Sequence, residues 1–418
     1  VIALGLGVRL AYVLATQHFK LAGDASEYDA EGQLIAAGHW FYTRLPYGIL
    51  HAGAWKAPGY PAWVGLWYAL LGHHPIAVRL VQVPLGALTI GLSWLLARRL
   101  FGRRVALAAA VVVALYPLAW QYEQLLFPES LATPLTLAAL LLIFTRTPSP
   151  RRALMLGLLT GISLLVRPSG EFLILGALVA WIAVAGWRRG IALTALAVGC
   201  ALVVVAPWTI RNAIVMHGFV PISMQDAALY GTFNAQAAHD PVWPYAWRDD
   251  PPNVAHLLDP RHSLSDVELR SRLMHAGFSY ISDHPSSVPK AFFWNGLSRL
   301  WDIRRRSRSL FEVPFEGRSR LLTIIGLDVY DALLPLALLG LWRIRRRRAL
   351  TLGILAIALG ASLVFTVDSG TRYRATLEPL IAVLACAGVL GPVKEPVARL
   401  RPAADDAPPV PLRPTAAA

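Results

Sequence analysis

The sequence predicts an all-α polytopic membrane protein, and three observations carry that reading. Of 418 residues, 56% are hydrophobic, and the mean hydropathy of +0.50 lies above the range of soluble globular chains. Apolar runs recur near bilayer length, and they are continuous and rich in Leu, Ala and Val instead of alternating. Lipid offers the backbone no hydrogen-bond partner, so only helices or closed barrels span it, and continuous runs select helices.

The net charge of +14 would suggest nucleic acid in a soluble protein, but here the arginines flank apolar runs. That placement makes them topology signals and lipid-headgroup contacts. Cys200 and Cys386 both lie inside apolar runs, which excludes a disulfide framework and a cysteine zinc site. His73 and His74 fall in a short turn and are read as non-ligands.

Val1–Phe19 is the first span, and without an A-x-A cleavage signal after it, it reads as a retained helix. Ala62–Leu71 is too short to cross about 30 Å of hydrocarbon. Its neighbourhood is dense in aromatics (Tyr60, Trp63, Trp67, Tyr68), so it is expected to lie at the interface. The remaining spans are 76–97, 105–121, 131–144, 153–166, 172–187, 191–210, 321–342, 350–366 and 377–390. Basic clusters at span ends then all fall on one side: Arg98–Arg104, Arg146–Arg152, Arg188–Arg189, Arg343–Arg348, and Lys394, Arg399 and Arg401. The expectation is about ten transmembrane helices with both termini cytoplasmic. Charges are nearly absent from the middle of these spans.

Four segments follow: a transmembrane catalytic module over 1–210 with the first outer loop at 20–75, an extracytoplasmic loop over 211–320, C-terminal transmembrane helices over 321–391, and a disordered, Pro- and Ala-rich cytoplasmic tail over 392–418. Within the long loop, Ser265 and Glu268 form a capping-box pattern for a helix over 266–282, ended by His284 and Pro285. A second amphipathic piece over 288–301 carries Phe292, Phe293, Trp294 and Trp301, which suit an interface.

This topology gathers Asp24, Glu27, Asp29, Lys56, Glu123, Glu129, Arg167, Glu171, Arg211, Asp368, Arg372 and Arg374 on the outer face. Each alone has an ordinary explanation, such as a carboxylate at a helix start or a snorkelling cation. Together they do not, because cations are normally depleted from outer loops near the membrane. Cations beside carboxylates at that level suit a lipid phosphate with a general base next to it. No P-loop, G-x-G-x-x-G, G-x-S-x-G or H-E-x-x-H motif is present.

The stretches GDASEYDAEGQLIAAGHW, KAPGYPAWVGLWYALLG, VRLVQVPLGALTIGLSWLLARRLFGRR, LLFPESLATPLTL, GLLTGISLLVRPSG, PWTIRN, LYGTFNA and TRYRATLEPLIAVLA occur in that order over nearly the whole chain. The ordered set resembles the GT-C superfamily of membrane glycosyltransferases, in particular the bacterial family 39-like group related to protein O-mannosyltransferases and the lipid A aminoarabinose transferase. The resemblance implies an inverting glycosyltransferase of the bacterial inner membrane, moving a sugar from a polyprenyl-phosphate donor to an acceptor hydroxyl on the extracytoplasmic face. The acceptor class stays open among glycolipid, polysaccharide and protein.

By the same resemblance, Asp24 matches the proposed general base of the first outer loop, with interfacial helices around it. Many relatives carry two adjacent acids there, whereas here Ala25 follows Asp24, which leaves Glu27 as the alternative base. Lys56, Arg211 and Arg372, with Arg167, are the expected phosphate cations, and Glu129 is expected to orient the acceptor or Lys56. No Asp/Glu set demands a metal, so no cofactor is expected, although a divalent ion stays compatible. The alternative is a polyprenyl-lipid flippase or transporter, which calls for mid-span charges and paired repeats. A non-catalytic membrane anchor is a third reading.

Overall fold

The computed structural model describes residues 1–391 apart from 263, 304 and 305; the expected tail, with Lys394, Arg399 and Arg401, lies outside the described residues. Its principal helices, in chain order, are α1 (Ile2–Ala15), α2 (Asp24–Ala36), α3 (Gly59–Leu71), α4 (Pro75–Phe101), α5 (Arg103–Leu115), α6 (Glu129–Phe144), α7 (Pro150–Val166), α8 (Phe172–Ala185), α9 (Trp187–Val215), α10 (Asp266–Asp283), α11 (Arg320–Arg343), α12 (Arg348–Val364) and α13 (Glu378–Leu390). A two-residue antiparallel ladder, β1 (Tyr42–Thr43) with β2 (His51–Ala52), closes the loop between α2 and α3.

Among the described residues, four helical segments are long and apolar enough to cross a membrane: α4, α9, α11 and Thr371–Leu390, which joins a 3₁₀ turn to α13. The expected span 105–121 is instead broken, with α5 and Pro117–Gln124 meeting at 77°. Proline explains the break, since it offers no N–H to the helix and holds the preceding Tyr116 extended, at ψ 112°. The apolar helices α1, α6, α8 and α12 have 14 to 17 residues. At 1.5 Å per residue they reach only about 21–26 Å, so length alone does not bear out ten spans.

The helices pack as a bundle in which α13 lies against α11 and α5, α8 against α12 and α9, α7 against α9, and α4 against α1, α5 and α6. Large apolar side chains on the outside of α9 are left bare, including Leu202, Val203, Ile210 and Ile214. A face of that kind is what lipid covers in a membrane protein.

Charges do enter the bundle, contrary to the expectation of almost none. Arg9 on α1 is fully buried and pairs with Glu123 at 3.2 Å, while Thr89 Oγ1 donates to the other carboxylate oxygen at 2.7 Å. Gly86 makes room for it, because a Cβ there would fall 2.2 Å from Arg9 Nε. Burying each charge beside its opposite is what makes the position tolerable in lipid. The pair also fixes the broken segment after α5, which leads directly into Phe127 and α6.

The segment between α1 and α4 folds back onto the bundle. α2 and α3 cross closely at Gly32 and Gly65, where added Cβ atoms would lie 2.4 Å from Val64 Cγ1 and 2.5 Å from Ile35 Cγ2. In the long loop, α10 starts and ends as expected, with Ser265 Oγ accepting from the Glu268 N–H at 3.3 Å and His284 as C-cap. The aromatic piece after it is a short helix, Ser287–Ala291, continuing as π-helix through Phe292–Arg299.

Candidate active site

Asp24 and Glu27 open α2, where carboxylates face the partial positive charge of a helix N-terminus. The helical period puts Asp24, Glu27, Tyr28 and Glu31 on one face. Lys56 meets that face from the loop between β2 and α3, with its side chain only 3% exposed. Its Nζ lies 2.7 Å from Asp24 Oδ1 and 2.6 Å from Glu27 Oε2. Trp55 adds an indole N–H to Glu27 Oε2 at 3.3 Å.

Arg372 approaches from the opposite side, out of the 3₁₀ turn Thr371–Leu377. Its Nη1 donates to Asp24 Oδ2 at 2.7 Å and its Nε to Glu129 Oε1 at 2.8 Å. Arg167, the C-cap residue of α7, donates Nη1 to the same Glu129 oxygen at 2.7 Å. The result is an alternating chain, Glu27–Lys56–Asp24–Arg372–Glu129–Arg167, whose central contact joins residues 348 positions apart. Aromatic faces hold the cations in place: Arg372 lies 4.0 Å from the Phe127 ring centroid, Arg167 5.2 Å from that of Tyr373, and Lys56 5.2 Å from that of Tyr28.

The electrostatics follow from this order. Burial works against ionising Asp24, but Lys56 and Arg372 outweigh it and hold the carboxyl well below the usual range. Burial likewise disfavours the Lys56 cation, and Asp24 with Glu27 reverses that, holding the ammonium charged beyond its ordinary limit. Glu31 has no such cation in contact, and burial pushes its carboxyl up to about 8. Three cations face three carboxylates, so the network is neutral as it stands. It is also incompletely bonded, because the buried Glu129 Oε2 and Arg167 Nη2 have no protein partner. One guanidinium N–H and one carboxylate oxygen are thus left to bond a further group.

Of the residues the sequence singled out, Asp24, Glu27, Lys56, Glu129, Arg167 and Arg372 come together. Arg211 does not join them. Its guanidinium donates to the main-chain oxygens of Gly53 at 2.8 Å and Phe41 at 2.9 Å, and lies 5.0 Å from the Trp208 ring, tying the loop between α2 and α3 to the C-terminal end of α9. Arg374 turns away too, into the core, where it pairs with Glu378 at 2.6 Å over the Tyr330 ring. Sequence reasoning passed over Tyr28, Phe127 and Tyr373, and gave Glu31, one of four acids close together in that stretch, no role. The helix period, four residues on from Asp24 for Tyr28 and four on from Glu27 for Glu31, was the available signal. Among the described residues, no group of three His, Cys, Asp or Glu side chains is placed to hold a metal ion.

Residues 55–210 match the family described as dolichyl-phosphate-mannose-protein mannosyltransferase, a stretch that contains Lys56, Glu129 and Arg167. Among solved structures, the Archaeoglobus fulgidus oligosaccharyltransferase in complex with Zn and sulfate aligns over 89% of this chain and 45% of that one, at 14% identity and a TM-score of 0.50. The same protein tethered with an acceptor peptide containing the NVT sequon aligns over 88% and 46%, at 13% identity and a TM-score of 0.51. At that identity the likeness is one of fold. The chain spans about half the length of those oligosaccharyltransferases. ArnT from Cupriavidus metallidurans, bound to undecaprenyl phosphate, aligns over 90% of this chain and 77% of its own, at 17% identity and a TM-score of 0.42. No curated protein matches the sequence.

Proposed function

We propose that this protein is an inverting glycosyltransferase of the GT-C superfamily in the bacterial inner membrane, taking a sugar from a polyprenyl-phosphate donor to an acceptor hydroxyl on the extracytoplasmic face. The observation that carries the reading is the Asp24 carboxylate clasped between Lys56 and Arg372 at 2.7 Å each. Two fixed cations with a carboxylate between them suit a phosphate leaving group beside a general base.

In the resting network Asp24 is a poor base, because its negative charge is compensated on both sides. A donor phosphate competing for Lys56, Arg372 and the spare Arg167 N–H loosens that clasp and raises the basicity of Asp24 when substrate is present. The acceptor oxygen then attacks C1 of the sugar and its proton passes to Asp24. The C1–O bond to phosphate breaks, and the leaving polyprenyl phosphate takes the electron pair. Its developing charge falls on cations already in place, so little reorganisation accompanies the step. Glu27 holds Lys56 from the far side, and Glu129 spaces Arg372 from Arg167.

Proteoliposomes supplied with radiolabelled polyprenyl-phosphoryl sugars test this reading. Wild type is expected to release polyprenyl phosphate and transfer label, and Lys56→Met to lose most of that activity. Donor lipid that crosses the bilayer but stays chemically intact would favour the flippase reading instead.

A further inference from the structure

Arg374 and Glu378 are a charged pair that the mechanism leaves unused, and they lie wholly inside the bundle, each 0% exposed. Arg374 Nε donates to Glu378 Oε1 at 2.6 Å, four residues further along the chain. Its Nη1 donates to the Leu300 main-chain oxygen at 2.6 Å, and its Cζ lies 3.6 Å from the Tyr330 ring centroid. Glu378 Oε2 accepts from the Tyr116 hydroxyl at 2.9 Å. Tyr330, on α11, donates its own hydroxyl to the Trp301 main-chain oxygen at 2.8 Å. Separate pieces of chain thus converge on one guanidinium and its carboxylate: the 3₁₀ turn running into α13, the end of the π-helix, α11, and the extended residue before the break at Pro117.

Stability alone gives a weak reason for such a pair. Taking both charges out of water costs much of what their attraction returns, and well-packed apolar residues often serve as well. Arg374 Nη2 also has no protein partner, so part of that cost stands uncompensated. What the pair does supply is direction. Arg374 stands two residues after Arg372 in the turn Thr371–Leu377. At three residues per turn, side chains two apart leave the axis about 120° apart. With the Arg374 fork bonded inward to Glu378 and Leu300, Arg372 is carried to the other side, where Nη1 reaches Asp24 and Nε reaches Glu129. We infer that Arg374 and Glu378 are positioning residues for transfer: anchored in the core, they set the rotation of the turn and so the placement of the Arg372 guanidinium. The inference rests on the transferase reading and adds to it the residues that hold the central cation of the site.

The test is a double-substitution cycle on the release of polyprenyl phosphate from labelled donor in proteoliposomes. Arg374→Lys keeps the charge but cannot hold Glu378 and the Leu300 oxygen with one fixed fork. It is expected to lower kcat about tenfold with little change in KM, because the cations that attract the donor are retained. Combined with Arg372→Lys, which already loses the fork, the same change is expected to add less than about threefold. A pair that merely supports the bundle would cost the same factor in both backgrounds. Equal losses in the two, or a loss under about threefold in the first, would therefore overturn the assignment. Thermal unfolding in detergent accompanies each variant. Should Arg374→Lys lower the midpoint, the cycle is read on Arg374→Met with Glu378→Gln, which removes both charges together and keeps an oxygen for the Tyr116 hydroxyl. Wild type that releases no polyprenyl phosphate would overturn the transferase reading itself, and the positioning role with it.

Discussion

Replacing Arg372 with lysine separates the geometry of the guanidinium from its charge. Arg372 gives Nη1 to Asp24 at 2.7 Å and Nε to Glu129 at 2.8 Å, and its Cζ lies 4.0 Å from the Phe127 ring centroid. Lysine keeps the positive charge but brings one ammonium on a flexible stem, so it can hold one carboxylate in that geometry and lose the other. A charge-assisted hydrogen bond contributes about 1.5–3 kcal/mol, and about 1.4 kcal/mol is tenfold in rate. Arg372→Lys is therefore expected to lower kcat/KM by about ten- to hundredfold. The loss should appear largely in kcat, because the charge that attracts the donor phosphate is retained. Steady-state release of polyprenyl phosphate from labelled donor in proteoliposomes measures both parameters, and thermal unfolding in detergent reports whether the bundle survives. A variant within threefold of wild type in kcat/KM would refute the argument that the fork of Arg372 organises the site.

Arg9→Ala leaves Glu123 buried without its cation, which is expected to destabilise the bundle by about 3–5 kcal/mol, read as a lowered unfolding midpoint; an unchanged midpoint would contradict the role given to the pair. Arg211→Ala removes two donors from the main-chain oxygens of Phe41 and Gly53, so protease cleavage between β1 and β2 should accelerate while the bundle stays folded. Glu31 titrates near 4.5 when unfolded and at about 8 when folded. The folded state then binds the extra proton, so its contribution to stability is present below pH 4.5 and lost as pH rises through 8. Glu31→Gln should flatten that decline in the unfolding midpoint, and a wild-type slope in the variant would oppose it.

Much of this was legible in the sequence because charge is conspicuous in an apolar chain. Arginines at outer span ends stood out against the positive-inside pattern, and Arg167 and Arg372 proved to share one carboxylate oxygen on Glu129. The direction of a side chain was less legible. Arg372 and Arg374 are two residues apart in one 3₁₀ turn, which sends the first to Asp24 and the second into the core against Tyr330. No local pattern distinguishes them. Arg9 escaped notice because one arginine in an apolar run reads as a tolerated exception, while its partner Glu123 lies 114 positions away. The break at Pro117 could have been read from proline alone, but the apolar run continues past it and reads as a single span. Glu31 was hidden by its neighbours, since a fourth acid in a charged stretch looks solvated until the helix turns it inward.

The most direct measurement is transfer by Asp24→Asn set beside its binding of polyprenyl phosphate. Asparagine keeps the size of the side chain, cannot accept the proton as a base, and leaves Lys56 and Arg372 free for phosphate. The account predicts transfer reduced by about 10²- to 10⁴-fold with phosphate affinity kept or increased. Wild-type transfer by the variant would contradict the assignment of Asp24 as the base and move that role to Glu27.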